Sequence, residues 1–203
     1  GLEIENMHTP VHGQNFLSSD DLEGENVYET YFRCVEDCAV FHIPTMVIHL
    51  PADQYPVNEL GLKRLEKIIH KAEDEEIQIA FENLSNINNL DRVLNAFQSK
   101  FVGYCYDSCH HQNYASDIDL LNKYGNRLMA LHLQDNGGKH NQHQLPFDGD
   151  IDWEEFLPFD VDAAAVLIMD DKGLYLENMT MISVSALYEL LCDEVYYSVD
   201  LDK

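Results

Sequence analysis

The sequence predicts an α/β fold built on one parallel sheet with helices packed outside it. Three observations carry that expectation. Short apolar runs alternate with longer amphipathic stretches along the chain. The runs are continuously apolar, as strands buried on both faces are. Each run also ends in a side chain that can titrate or ligate a metal, and a parallel order would gather those ends on one side of the sheet.

Residues 4–8 open the pattern as a strand. Residues 26–41 follow as a helix, with Val27, Tyr31, Cys34, Cys38 and Phe41 on one face. TMVIHL at 45–50 is a buried strand stopped by Pro51. Residues 57–74 place Leu62, Leu65, Ile68, Ile69 and Ala72 at helical spacing. Strand, helix and strand are expected at 77–81, 87–98 and 101–106. A helix is expected at 116–124 with Ser116 as N-cap, and a strand at 128–133. A long polar segment covers 134–150. A further helix starts at Asp152 and meets Pro158, a last strand is expected at 174–176, and 183–197 closes the chain as a helix. No Pro-, Gly- or Ser-rich linker divides residues 1–203, so they read as one domain.

Composition narrows the function. The 203 residues carry 37 acidic against 12 basic side chains, a net charge of −25. That excess argues against a nucleic-acid partner, which needs a basic face. The four arginines (Arg33, Arg64, Arg92 and Arg127) are scattered and form no anion clamp. No apolar run reaches the roughly 20 residues of a membrane span, and no signal-like segment opens the chain. Five cysteines, an odd number in a chain of this size, suit reduced thiols and a cytoplasmic location. GxGxxG and P-loop signatures are absent.

The six strands end in His8, His49, Glu82, Asp107, His132 and Glu177. If the sheet curls into a barrel, these residues converge on its C-terminal mouth. Carboxylates with an imidazole suit a divalent cation: Mn2+, Mg2+, Co2+ or Zn2+. No cysteine stands at a strand end, which argues against a structural zinc. His110 lies one turn beyond Asp107 if a helix begins there. The segment 134–150 is expected to fold over the mouth and deliver His143 and Asn141, with Pro146, Phe147 and Trp153 ordering it. His12, His42, His70, His111 and His140 have no strand-end placement and read as structural or solvated.

At these residues the chain resembles the sugar phosphate isomerase/epimerase-like proteins of the xylose-isomerase-like TIM-barrel superfamily. The matching pieces are HTP at 8–10, VIHLP at 47–51, FEN at 81–83, GYCYDSCH at 103–110, ALHLQDN at 130–136, HQLPFDGDIDW at 143–153 and LEN at 176–178. The resemblance implies a TIM-type barrel and a metal held by Glu82, Asp107, His132 and Glu177, with Glu82 and Glu177 also the catalytic pair. It makes His110 a substrate or metal contact. His8 and His49 match positions that bind extra zincs in the apurinic endonucleases of the superfamily. Those endonucleases carry an Asp-x-His pair where this chain has Asn141-Gln142-His143, and Asn is a weaker ligand.

The expected function is therefore sugar or sugar phosphate isomerisation or epimerisation. Two carboxylates on opposite faces would exchange a proton on carbon beside a carbonyl, while the metal stabilises the enediolate. Phe81, Tyr104, Tyr106 and Trp153 would line an apolar wall. The alternatives are metal-dependent phosphodiester hydrolysis, suggested by the extra His8, His49, His110 and His143, and a non-catalytic sugar-binding relative. A full barrel takes about 250 residues and eight βα units. Six are found here, and the resemblance, in which the catalytic pattern begins on the third strand, implies that the first two are missing, leaving an open edge for another segment or a second subunit of a homo-oligomer to cover.

Overall fold

The computed structural model describes residues 4–138, 142–144, 146, 148–153 and 164–167. Strand β1 is Asn6–His8, β2 Thr45–His49, β3 Gln78–Glu82, β4 Val102–Asp107, β5 Leu128–Leu133 and β6 Ala164–Leu167. Helices α1 (Leu22–Phe41), α2 (Glu59–Asp74) and α3 (Ile87–Ala96) connect the first four strands. Two shorter helices, α4 (Ser108–Tyr114) and α5 (Leu120–Tyr124), lie between β4 and β5.

The sheet runs β1-β2-β3-β4-β5-β6, and every neighbouring pair is parallel. No strand is skipped, so the winding never reverses as it does in a doubly wound sheet. The sheet is also strongly curled. In a flat sheet β1 and β5 would stand roughly 19 Å apart, four spacings of about 4.8 Å. The rings of His8 on β1 and His132 on β5 instead stack with centroids 5.5 Å apart. Sequential parallel order with this curl is a partial TIM-type barrel.

Strand alternation sorts the side chains into two layers. Met46, Ile48, Ile79, Phe81, Tyr104, Tyr106, Leu131 and Leu133 point outward and join Tyr31, Val35, Leu65, Ile68, Leu90 and Val93 of the helices in the main core. Val47, Ala80, Cys105 and Ala130 point inward as a small second cluster. Phe81 is fully buried in the outer layer. Phe81→Ala is therefore expected to cost about 3–5 kcal/mol, read from urea unfolding. A loss below about 1 kcal/mol, the scale of a surface change, would exclude that packing.

Each of the five helices starts on an Asp or Asn whose side chain accepts from a backbone N–H three residues on. The caps are Asp21, Asn58, Asn86, Asp107 and Asp119. The last corrects the expected start at Ser116: the helix begins three residues later, on Asp119. Helix α4, open in the sequence, confirms that His110 sits one turn past Asp107. β6 is a strand the sequence reading did not anticipate, whereas the expected elements at 174–176 and 183–197 lie outside the described residues, as do Glu177 and Cys192. Cys34, Cys38, Cys105 and Cys109 are buried, and no disulfide joins them among the described residues. Among the described residues, no helix is long and apolar enough to cross a membrane.

Candidate metal centre

Glu82 is the hub of the barrel mouth. Its side chain is 1% exposed, and four imidazoles meet its carboxylate. On Oε2 stand His8 Nε2 at 3.1 Å, His49 Nε2 at 3.0 Å and His132 Nδ1 at 3.0 Å. On Oε1 stands His110 Nδ1 at 2.9 Å. Asp107 adds a second buried carboxylate, 3.6 Å from His110 Nδ1 and 3.9 Å from His132 Nδ1. Five of the expected strand-end residues and His110 thus share one buried cluster.

The local sequence builds this arrangement. Asn83, directly after Glu82, is fully buried. Its Oδ1 accepts from Asp107 N at 2.7 Å and from Tyr104 OH at 2.9 Å, and its Nδ2 donates to the Asp107 carbonyl at 2.9 Å. The FEN motif thereby ties the end of β3 to the end of β4. Asp107 also caps α4, accepting from His110 N at 2.7 Å, which aims the His110 ring back at Glu82. Gln134 holds the other carboxylate oxygen of Asp107, donating from Nε2 at 2.7 Å. Sequence reasoning assigned no role to Asn83 or Gln134. Their signal was adjacency to the strand ends.

The donor geometry fits a cation. His8 Nδ1 lies 2.6 Å from the Thr9 carbonyl oxygen. A carbonyl only accepts, so Nδ1 carries the proton and, in a neutral ring, Nε2 presents a lone pair to Glu82. Two facing lone pairs repel unless a cation or a second ring proton lies between them. Three ring nitrogens on one oxygen also exceed its two lone pairs. Neutral imidazole fixed by a backbone carbonyl behind it is the usual form of a histidine ligand.

The electrostatics agree with this reading. Burial pushes the Glu82 carboxyl up, but the His132 charge and hydrogen bonds from His110, His132 and His49 together hold it well below the ordinary carboxylate range. Burial raises Asp107, with its neighbour Glu82 adding to the rise and His110 opposing it. Burial works against the His110 and His132 cations, yet both are raised: Glu82 and Asp107 outweigh it at His110, and Cys105 and Glu82 outweigh it at His132. Protons therefore compete for these rings above pH 6.5, the ordinary imidazole value. Zn2+ affinity should rise as the pH rises above about 6.5, roughly tenfold per pH unit for each proton displaced. Chelator competition measures it, and a flat profile would exclude these rings as ligands.

Residues 1–159 match the family described as Xylose isomerase-like TIM barrel. The chain belongs to the xylose isomerase-like TIM-barrel family. A curated relative, the uncharacterized protein y4fM of Sinorhizobium fredii, is 30% identical over 157 residues, covering 70% of this chain and 50% of that protein. The chain thus spans about half the length of that relative. Among solved structures, a D-tagatose 3-epimerase-like protein superimposes with a TM-score of 0.66 at 21% identity, over 80% of this chain and 69% of the other. The IOLI protein, solved with a bound zinc atom, gives 0.65 at 17% identity, over 82% and 67%.

Two expectations about this family member need correction. Phe81, Tyr104 and Tyr106 do not line the mouth. They alternate with Glu82, Cys105 and Asp107 and so face the helices. Trp153 packs in the same outer core and donates from Nε1 to Asp135 at 2.7 Å. A cysteine also belongs to the cluster after all. One ligand atom each from Glu82, Cys105 and His132 lies within a 4.8 Å span. Cys105 is two residues before the strand-end Asp107, hence on the same inward face.

The remaining histidines are placed as follows. His143 is half-buried with φ +47°, and stands outside the three donor groups found among the described residues. His111 bridges Tyr106 OH and the Ile118 carbonyl, each at 2.8 Å. His12, His42 and His70 are exposed. Lys139, His140 and Asn141 lie outside the described residues.

Proposed function

We propose that this chain carries the metal centre of a sugar isomerase or epimerase, which moves a proton on carbon beside a carbonyl. The observation that carries the reading is the convergence of four imidazoles and two carboxylates on one buried point, with the His8 lone pair facing Glu82. Membership of the family and likeness to an epimerase-like fold support it.

Glu82, Asp107, His132 and Glu177 would hold a divalent ion, and three carboxylates with one imidazole suit Mn2+, Mg2+, Co2+ or Zn2+. Such an ion supplies Lewis-acid stabilisation of the negative charge that develops on oxygen when the carbon proton leaves. Glu82 and Glu177 are assigned the proton transfers, one taking the proton and the other returning one to the opposite face. Either carboxylate takes the receiving role, depending on the direction of the reaction. His110 is assigned a hydrogen bond to a substrate hydroxyl, and His143 a contact from the loop over the mouth.

The test is exchange of solvent deuterium into ketohexoses, followed by NMR with metal-loaded protein. Deuterium should appear on the carbon beside the carbonyl, together with an inverted or isomerised product. Glu177→Gln should reduce turnover on the order of 10²-fold or more, the usual worth of a positioned acid–base group. Full activity in Glu177→Gln would sink the role given to that residue.

A second reading is phosphodiester hydrolysis with several ions. It is favoured by the His8 and His49 rings, which form a donor group of their own with Glu82. Metal analysis separates the two: one ion per chain favours isomerisation, and two or three favour hydrolysis.

A further inference from the structure

We propose that Cys105, with Glu82 and His132, forms a thiophilic metal-binding triad in which the Cys105 sulfur is itself a ligand. The inference rests on the reading of the barrel mouth as a metal centre, and names a donor and an ion preference that this reading does not contain.

Cys105 stands on β4 in register with Glu82 on β3 and with Ala130 on β5. Its side chain is fully buried on the inner face of the sheet. Its buried companions there are Val47, Ala80 and Ala130, with the partly buried Met129 packed against them. Cysteine adds a ligand atom, placed within 4.8 Å of a Glu82 oxygen and a His132 nitrogen. Metal–ligand bonds of about 2.0–2.3 Å to one shared ion can close a span of that size. The other two donor groups, His8–His49–Glu82 and Glu82–Asp107–His110, contain no sulfur.

A sulfur donor changes which ion the site prefers. Magnesium and manganese take hard oxygen ligands, whereas zinc and cobalt accept imidazole and thiolate together. Ligation removes the thiol proton to solvent, and the thiolate charge is then met by the cation. Without a cation the thiol keeps its proton, since burial first of all pushes it up to about 11.

The experiment compares wild type, Cys105→Ser and Cys105→Ala by Co2+ absorption and by Zn2+ and Mn2+ affinity. Wild type should show a thiolate-to-cobalt charge-transfer band in the near ultraviolet, and both variants should lack it. Zn2+ affinity should fall about 10–100-fold in the variants, the range seen when a supporting or ligating group is lost, with Mn2+ affinity unchanged. A band that persists in both variants, or Zn2+ affinity equal in all three proteins, overturns the proposal and leaves the metal centre standing. Absence of any divalent binding overturns both. Should neither variant fold, 113Cd NMR of the wild type decides. A cadmium resonance correlated with one cysteine β-methylene and with imidazole ring protons is expected, and its absence with cadmium bound overturns the proposal.

Discussion

Glu82→Gln should abolish tight metal binding while leaving the fold in place. Glutamine has the size of glutamate, so the buried space stays filled. What changes is charge and hydrogen-bond sense. One oxygen that now meets ring nitrogens becomes an NH2 group, and the negative charge facing four imidazoles disappears. All three donor groups lose their shared member, so Zn2+ affinity should drop on the order of 10²-fold or more. The proposed proton transfers should stop with it. Zn2+ binding as tight as wild type would show that the imidazoles and Asp107 hold the ion without Glu82.

The metal-free protein adds an independent readout. Glu82 is lowered, so its contribution to stability is present above the unfolded carboxylate pKa of about 4.3 and is lost as pH falls through its lower folded value. His132 is raised, so its contribution is complete below about pH 6.5 and fades as pH rises through its folded value. Both are complete together in the weakly acidic window between those two limits. Metal-free wild type should therefore be most stable there, and Glu82→Gln should flatten that maximum. Urea midpoints across the pH range measure both curves.

Much of this centre was legible because barrel geometry converts sequence position into place. His8, His49, Glu82, Asp107 and His132 each close an apolar run, and parallel strands put such ends together whatever their separation in sequence. His110 followed from Asp107 by one helical turn. The alternation of strand faces decides the rest. If Glu82 and Asp107 point inward, then Phe81, Tyr104 and Tyr106 must point outward and Cys105 inward. The aromatic wall and the missing thiol were errors of that one rule. Helix α4 was hard to anticipate because SCHHQNY has no apolar period. Its start is set by the Asp107 cap and its inner face by polar contacts. β6 lies in the run AAAVLIM, which can serve a buried helix or a strand equally well. Helix starts were less legible: the expected cap Ser116 gives way to Asp119, and α1 begins at Leu22 on the Asp21 cap rather than at residue 26, because the Asx side chain and not the apolar period sets the first turn.

The loop after β5 depends on one carboxylate. Asp135 is fully buried. Its Oδ1 accepts from Asn136 N at 2.7 Å and Ile151 N at 3.1 Å, and its Oδ2 accepts from Trp153 Nε1 at 2.7 Å. Its backbone pairs with Gln144 in both directions, at 2.8 and 2.9 Å. Gly149 closes over the same oxygen so tightly that a Cβ there would lie 2.3 Å from Asp135 Oδ1. Residues 144, 149, 151 and 153 are thus gathered on a side chain three positions past the candidate ligand His132. Asp135→Ala strands three donors, two of them backbone, at about 1–3 kcal/mol each before water relaxes the site. The expected loss is about 3 kcal/mol, and it should begin locally, because the loop is held by these contacts while the helix–sheet core is not. Trp153 is the only tryptophan in the chain, so its fluorescence reports this clamp directly. Emission should shift to the red in Asp135→Ala at denaturant concentrations that leave the helical circular dichroism intact. Asp135→Asn, which keeps one acceptor, should fall between the two. If fluorescence and circular dichroism change together in Asp135→Ala, the loop unfolds only with the barrel, and Asp135 is not what holds it locally.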